Sequence, residues 1–208
     1  MSDMRNAGNI DLHGGCLCLD FVNTVDWRLA DRPEELLLSY TDLLAWSRHV
    51  GILSDNHAAR LARKSRKSPA LAAAVLKQAI AIREVLYRVF SSVARGGTPA
   101  RADVSRLNRA LADSMARMRL VPAAGTFEWG WDESGARLEQ PLWQVVQSAA
   151  ALLTTGKPDR IRQCNDEHCG WLFFDASKNK SRRWCSMKDC GNRAKARRHY
   201  KRTRTKRD

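Results

Sequence analysis

Through most of the first 156 positions, apolar residues recur at helical spacing. The longest such run extends from about Ala70 to Ala94. Val75, Ala79, Ile82, Leu86 and Val89 repeat along it, and Leu76, Tyr87 and Phe90 widen the stripe. Gly96-Gly97-Thr98-Pro99 stops it. Tyr40 to Leu53 has an apolar face of Leu43, Leu44, Trp46 and Val50, with Thr41 as the expected cap and Gly51 near the end. A short basic helix is expected from Asp55, capped by Ser54. Another runs from about Ala100 to Met118, with Val104, Leu107, Leu111, Met115 and Met118 facing inward.

The period then changes to two. Phe127, Trp129 and Trp131 alternate with Glu128, Gly130 and Asp132, which predicts a strand. Asp132 to Gly135 suits a turn and Ala136 to Leu138 a short return strand. Pro141 opens a helix carrying Leu142, Val145, Val146, Ala149, Leu152 and Leu153, and Gly156-Lys157-Pro158 closes it. Residues 12–25 form a short apolar run broken by Asp20, Asn23 and Thr24, and a buried strand or the start of a helix both fit it. The pattern predicts a mainly α fold: a multihelical N-terminal domain over 1–156 with a small β-hairpin, and a second module over 160–208. That module is too small to bury much apolar surface and needs a staple.

Charge separates the two parts. Residues 157–208 hold 17 Lys/Arg against 6 Asp/Glu, a net of +11 within a chain total of +14. Such asymmetry points to a polyanionic partner. No run of 18 apolar residues is present and the first residues lack the pattern of a signal peptide. No membrane partner is expected. A cytoplasmic location with reduced thiols is, so the six cysteines read as metal ligands or buried thiols rather than disulfides.

Four of them, Cys164, Cys169, Cys185 and Cys190, form two C-x4-C pairs separated by 15 residues. Paired thiols of this kind suit one tetrahedral zinc ion in a closed, structural site, the staple that the module lacks. An iron–sulfur cluster is the main competitor for four thiolates. His168, inside the first pair, reads as a solvated loop residue rather than a spare ligand. The order of knuckle, hairpin and helix is treble-clef-like or ribbon-like. Cys16 and Cys18, beside His13, suggest a second metal site, but two small core residues are the simpler account.

Beyond Cys190 the chain is strongly basic. On a helix, Arg193, Arg197 and Lys201 stack, and so do Arg198 and Arg202. Arg182, Arg183, Asn192, Arg193, Lys195, Arg197, Arg198 and Lys201 are the candidate nucleic-acid contacts, meeting phosphates or base edges. Trp171, Phe173, Phe174 and Trp184 either stack on unpaired bases or form the module's own small core. In the helical domain, Asp20, Asn23, Thr24 and Arg83 are polar residues among apolar ones and are candidates for a ligand pocket, with caps, turns and surface charges as the simpler account.

The segment Cys164-x4-Cys169-Gly-Trp-Leu-Phe-Phe-Asp175-x-Ser177, followed by Ser181-Arg-Arg-Trp-Cys185 and Cys190-Gly191-Asn192-Arg193, closely resembles the CGNR zinc finger family. Leu17-Cys-Leu-Asp-Phe-Val-Asn-Thr-Val-Asp26 resembles the start of the ABATE domain that commonly precedes this finger. The resemblance implies a bacterial, stress-responsive transcription regulator with a zinc-held DNA-binding finger and a regulatory or ligand-sensing N-terminal domain. It carries the four cysteines over as zinc ligands. DNA is the expected partner, and RNA the alternative. A small-molecule effector fits the N-terminal domain. A homodimer would suit paired half-sites, although no coiled-coil heptad shows one. No nucleophile–base set, phosphate loop or HExxH motif occurs, and a non-enzymatic role is expected.

Overall fold

The computed structural model describes residues 5–131 and 136–204; the expected Asp132–Gly135 turn lies outside the described residues, and so does the Lys201 side chain. The architecture is mainly α. The helical body comprises α1 (Leu17–Val22), α2 (Tyr40–His49), α3 (Asp55–Lys67), α4 (Pro69–Ala94), α5 (Arg101–Met115) and α6 (Gln140–Thr154). Strands β1 (Val25–Asp26) and β2 (Glu34–Glu35) form one small ladder, and β3 (Met118–Ala123) and β4 (Thr126–Trp131) form another. The C-terminal part contains β5 (Ile161–Gln163), β6 (Leu172–Phe174) and α7 (Asn192–Arg204).

Helix α4 is the spine. At 26 residues it spans about 39 Å. Pro69 starts it without losing an intrahelical hydrogen bond, and its buried face is Val75, Ala79, Leu86, Val89 and Phe90. It packs against α1, α2, α3, α5 and the β5–β6 ladder. The ambiguous run near the N-terminus is a helix. Cys18, Leu19, Phe21 and Val22 are all buried, because α1 is covered by α4, α6 and β6 at once. An element enclosed on every side shows no amphipathic period.

Three local expectations are corrected. The cap of α2 is Ser39, not Thr41. Ser39 Oγ accepts from Asp42 N (3.2 Å) and the Asp42 carboxylate accepts from Ser39 N (2.7 Å), a reciprocal capping box. Helix α5 stops at Met115, so Met118 opens β3, and Val104 and Met115 are exposed rather than inward. The β4 strand pairs with the segment before it, from Met118↔Trp131 to Ala123↔Thr126. Ala124 and Gly125 both take positive φ (35° and 84°), as a two-residue hairpin turn requires. Ala136 to Leu138 is no strand; Leu138 is buried and its carbonyl accepts from the Tyr40 hydroxyl at 2.9 Å.

The C-terminal module shares the body's core. Ile161, Trp171, Leu172 and Phe173 lie in one apolar cluster with Phe21, Leu86 and Phe90. Asn23 acts as a strand partner in side-chain form. Its amide nitrogen donates to the Leu172 carbonyl and its oxygen accepts from the Leu172 amide, each at 2.9 Å. Trp171 Nε1 donates to the Val25 carbonyl (2.9 Å), and the Arg28 and Leu29 amides donate to the Cys169 and His168 carbonyls (3.0 and 3.1 Å). Gly170 sits at φ +72°, and a Cβ there would come 2.8 Å from Leu29 Cγ. The loop that makes these contacts is tied to α4. Arg83 meets Glu35 through two 2.6 Å hydrogen bonds, and Arg28 meets Glu84 at 2.6 Å while lying over the Tyr87 ring. Burial opposes charge on Glu84, yet Arg28 and Arg83 outweigh it and hold its carboxyl below the usual range.

Asn23→Ala leaves a buried N–H and C=O of Leu172 unpaired. It is expected to cost about 2–4 kcal/mol. Because the core is shared, the loss will appear as one shifted denaturant transition monitored by both helical circular dichroism and tryptophan fluorescence, not as separate melting of the C-terminal module.

Candidate metal centre and nucleic-acid interface

Two knuckles bring four sulfurs together. The first, Cys164 to Cys169, precedes β6; the second, Cys185 to Cys190, runs into a wide helical turn over Met187–Gly191 and then α7. All four Sγ atoms lie within 4.8 Å of one another and all four residues are buried. Cys169–Cys185 and Cys185–Cys190 are separated by 3.6 and 3.5 Å. A disulfide needs about 2.05 Å. A tetrahedron with zinc–sulfur bonds of about 2.3 Å sets its corners about 3.8 Å apart. The donor set therefore fits one structural zinc ion.

Crowded thiols cannot all ionise alone. Hydrogen bonding among the sulfurs pulls the Cys164 thiol down, through Cys169 first, and pushes Cys169 and Cys185 up, through Cys164 first. A divalent cation removes that conflict. The surrounding donors oppose the excess negative charge of four thiolates: the Cys185 amide points at Cys164 Sγ (3.5 Å) and the Arg193 guanidinium lies 3.0 Å from Cys190 Sγ. Gly191 lets the exposed Met187 side chain lie close, since a Cβ there would come 2.5 Å from Met187 Sδ and the thioether would have to shift. Ser186 caps the wide turn, accepting from the Asp189 amide at 3.2 Å. His168 stays outside the sulfur group.

The basic residues divide into two sets. Arg193 and Arg197 point inward. Both reach the fully buried carboxylate of Asp166 (3.3 and 3.2 Å), and Arg193 also lies over the Trp27 ring, 4.5 Å from its centre. Arg182 is held within the module as well. Its guanidinium donates to the carbonyls of Trp184 (3.1 Å), His13 (3.1 Å) and Cys185, and its amide donates to Asp175 (3.0 Å). It stacks on Phe173. Asn192 donates to the Lys188 carbonyl (2.8 Å). These four expected contacts thus have structural partners, although Asn192 remains exposed, and Arg183, Lys195 and Arg198 are exposed as well. Lys195, Arg198 and Arg202 fall on one face of α7, opposite Arg193 and Arg197. Trp171 and Phe173 belong to the core, while Phe174 and Trp184 are half-buried.

The four ligand-pocket candidates do not converge on an open site. Asp20 accepts from the Gly14 amide (2.7 Å), Asn23 clamps β6, Thr24 Oγ1 donates to the Phe21 carbonyl (2.8 Å) and Arg83 is 2% exposed among its acids. A groove of about 280 Å3 lies instead among Gln78, Ile82, Asp113, Arg117, Leu142 and Trp143. Cys16 and Cys18 form no second metal group; among the described residues the one cluster of metal-ligating type is the four-cysteine set. Sequence reasoning missed Asp166, Trp27 and Gly170. An acid buried inside so cationic a module is the signal that could have found Asp166.

A mainly helical body carrying a closed four-thiolate centre defines a zinc-finger protein. The ABATE family model, described as "Putative stress-induced transcription regulator", matches residues 15–156, and the CGNR zinc finger model matches residues 160–203. The chain belongs to the ABATE family. A search of curated proteins found no match. Among the described residues no helix is long and apolar enough to cross a membrane.

Elemental analysis of reduced protein is expected to return one zinc per chain, and Arg193→Ala is expected to lower zinc affinity about tenfold in competition with a chromophoric chelator. Asp20 gives a pH test. Burial, opposed by the Gly14 hydrogen bond and His49, pushes its carboxyl up to about 6. The folded state therefore binds this proton more tightly, and the contribution is full below about pH 4 and lost as pH rises through about 6. Asp20→Asn is expected to stabilise the protein at pH 7.5 by up to about 3 kcal/mol, with the difference from wild type vanishing below pH 4 in paired denaturant titrations.

Proposed function

We propose that this protein is a DNA-binding transcription regulator in which the zinc-held module presents the outer face of α7 to duplex phosphates. The observation that carries the reading is the division of the helix. Its inner cations are paired, Arg193 with Asp166 and Arg197 with Asp166 and Glu167, while Lys195, Arg198 and Arg202 are exposed on the opposite face of a helix that has no acidic residue. Like charges on one face repel, and a phosphate backbone relieves them with release of counterions. Arg183, exposed against Trp184, extends the same reading. Burial of Trp171 and Phe173 removes two of four aromatic platforms from single-strand stacking, which favours duplex DNA over RNA.

The helical body acts in this scheme as the regulatory part, with the family description supporting a stress-linked role in transcription, and such a role would place the protein beside DNA in the cytosol. A closed four-thiolate zinc leaves no position for a reacting water, which supports a binding role without catalysis.

Duplex binding measured across salt concentration is expected to give a log–log slope of about −5. The triple variant Lys195→Ala, Arg198→Ala, Arg202→Ala should lower that slope by about 3 while retaining zinc and the wild-type unfolding transition. Unchanged affinity and slope in the triple variant would refute the assignment. Structured or single-stranded RNA outcompeting duplex DNA at fixed salt would replace it with the RNA reading.

A further inference from the structure

Cys16 and Cys18 are left unused by the zinc site. Their sulfurs lie 3.6 Å apart, at contact distance. Cys16 is half-buried and Cys18 fully buried. The environments of the two differ in a directed way. The Cys16 sulfur is drawn below the usual thiol range by the Cys18 hydrogen bond, with the Leu19 amide adding to it, against burial and the Asp20 charge. Burial keeps Cys18 well above that range. The more accessible sulfur is thus the more acidic of the two, and the buried one is the weaker acid beside it.

We propose that Cys16 and Cys18 form an oxidisable dithiol, with Cys16 reacting with a hydroperoxide and Cys18 resolving the product into an intramolecular disulfide. The Cys16 sulfur attacks the peroxide, forming an S–O bond as the O–O bond breaks and an alcohol or water departs with a proton. The Cys18 sulfur then attacks the sulfenic sulfur. The S–S bond forms, the S–O bond breaks, and the departing hydroxide takes the Cys18 proton as water. Two thiols and one hydroperoxide give one disulfide, one alcohol or water, and one water. Across two residues at the start of a helix, Cα atoms stand about 5.4 Å apart, inside the range that a disulfide spans.

This pair occupies the turn that touches the zinc module. The Cys16 carbonyl accepts from the Leu19 and Asp20 amides (3.1 and 3.0 Å). Gly14, two residues earlier, accepts from the Phe174 amide of β6 at 2.8 Å, and His13 accepts from Arg182. Drawing the two sulfurs together acts on this turn and on the strand beside it. The proposal does not depend on DNA binding.

The test uses the full-length, zinc-loaded chain and a few equivalents of hydrogen peroxide. Tryptic peptide 6–28 contains both cysteines and no other. The expected result is loss of two hydrogens from that peptide and of two of the six thiols, with zinc retained. Cys18→Ala, a volume-reducing change compatible with a buried site, removes the hydrogen bond that favours the Cys16 thiolate and should leave a more slowly formed sulfenic acid at Cys16 that dimedone traps. Cys16→Ser should slow oxidation of the peptide at least about tenfold. Peptide 6–28 remaining reduced while zinc is released, or Cys16→Ser oxidising at the wild-type rate, would overturn the proposal.

Discussion

Four sulfurs crowded within 4.8 Å of one another set the terms for the C-terminal third of the molecule. Their mutual repulsion calls for a cation, and even with zinc the centre retains negative charge. The chain answers with amide donors and with Arg193 against Cys190. A zinc ion held there would anchor the chain two residues before α7, and the first turn of α7 returns a guanidinium to Cys190, one of the residues that would hold it. Asp166, from the first knuckle, closes the circuit by holding Arg193 and Arg197 together. Ligand shell and cationic helix are one electrostatic unit.

That unit does not stand apart from the helical body. Asn23 completes the hydrogen bonding of β6, Trp171 reaches back to Val25, and Trp27 stacks beneath Arg193. The loop supplying these contacts is pinned to α4 by Arg28 and Arg83 with Glu35 and Glu84. A displacement in the body near α1 or α4 is thus mechanically close to the zinc knuckles. This closeness joins the body physically to the finger, through strand β6 and the Trp27 loop.

The paired cysteine spacing identified the ligands because a knuckle is a local structure, closed by residues a few positions apart. Helical periodicity located α2 to α6 to within a few residues for the same reason. It failed where an element is enclosed or exposed on all sides. Helix α1 has no polar face, and β3 reads as a helix end because Met115 and Met118 continue the α5 spacing although Met115 faces solvent. The aromatic strand was legible, but its partner was expected after it, and only the pairing with β3 through the Ala124–Gly125 turn shows which neighbour it takes.

The sequence by itself determined the zinc ligands, the helical class and the excess positive charge, since these follow from residue type and short-range spacing. Tertiary structure alone decided which arginines are available. Arg193 and Arg198 are indistinguishable as letters in a basic run, but one faces a buried carboxylate and the other faces solvent. The same holds for Asn23 and Arg83, which look like pocket residues until their partners across the core are seen. Long-range burial assigns such roles, because a polar side chain takes its function from whatever the fold places within hydrogen-bonding reach.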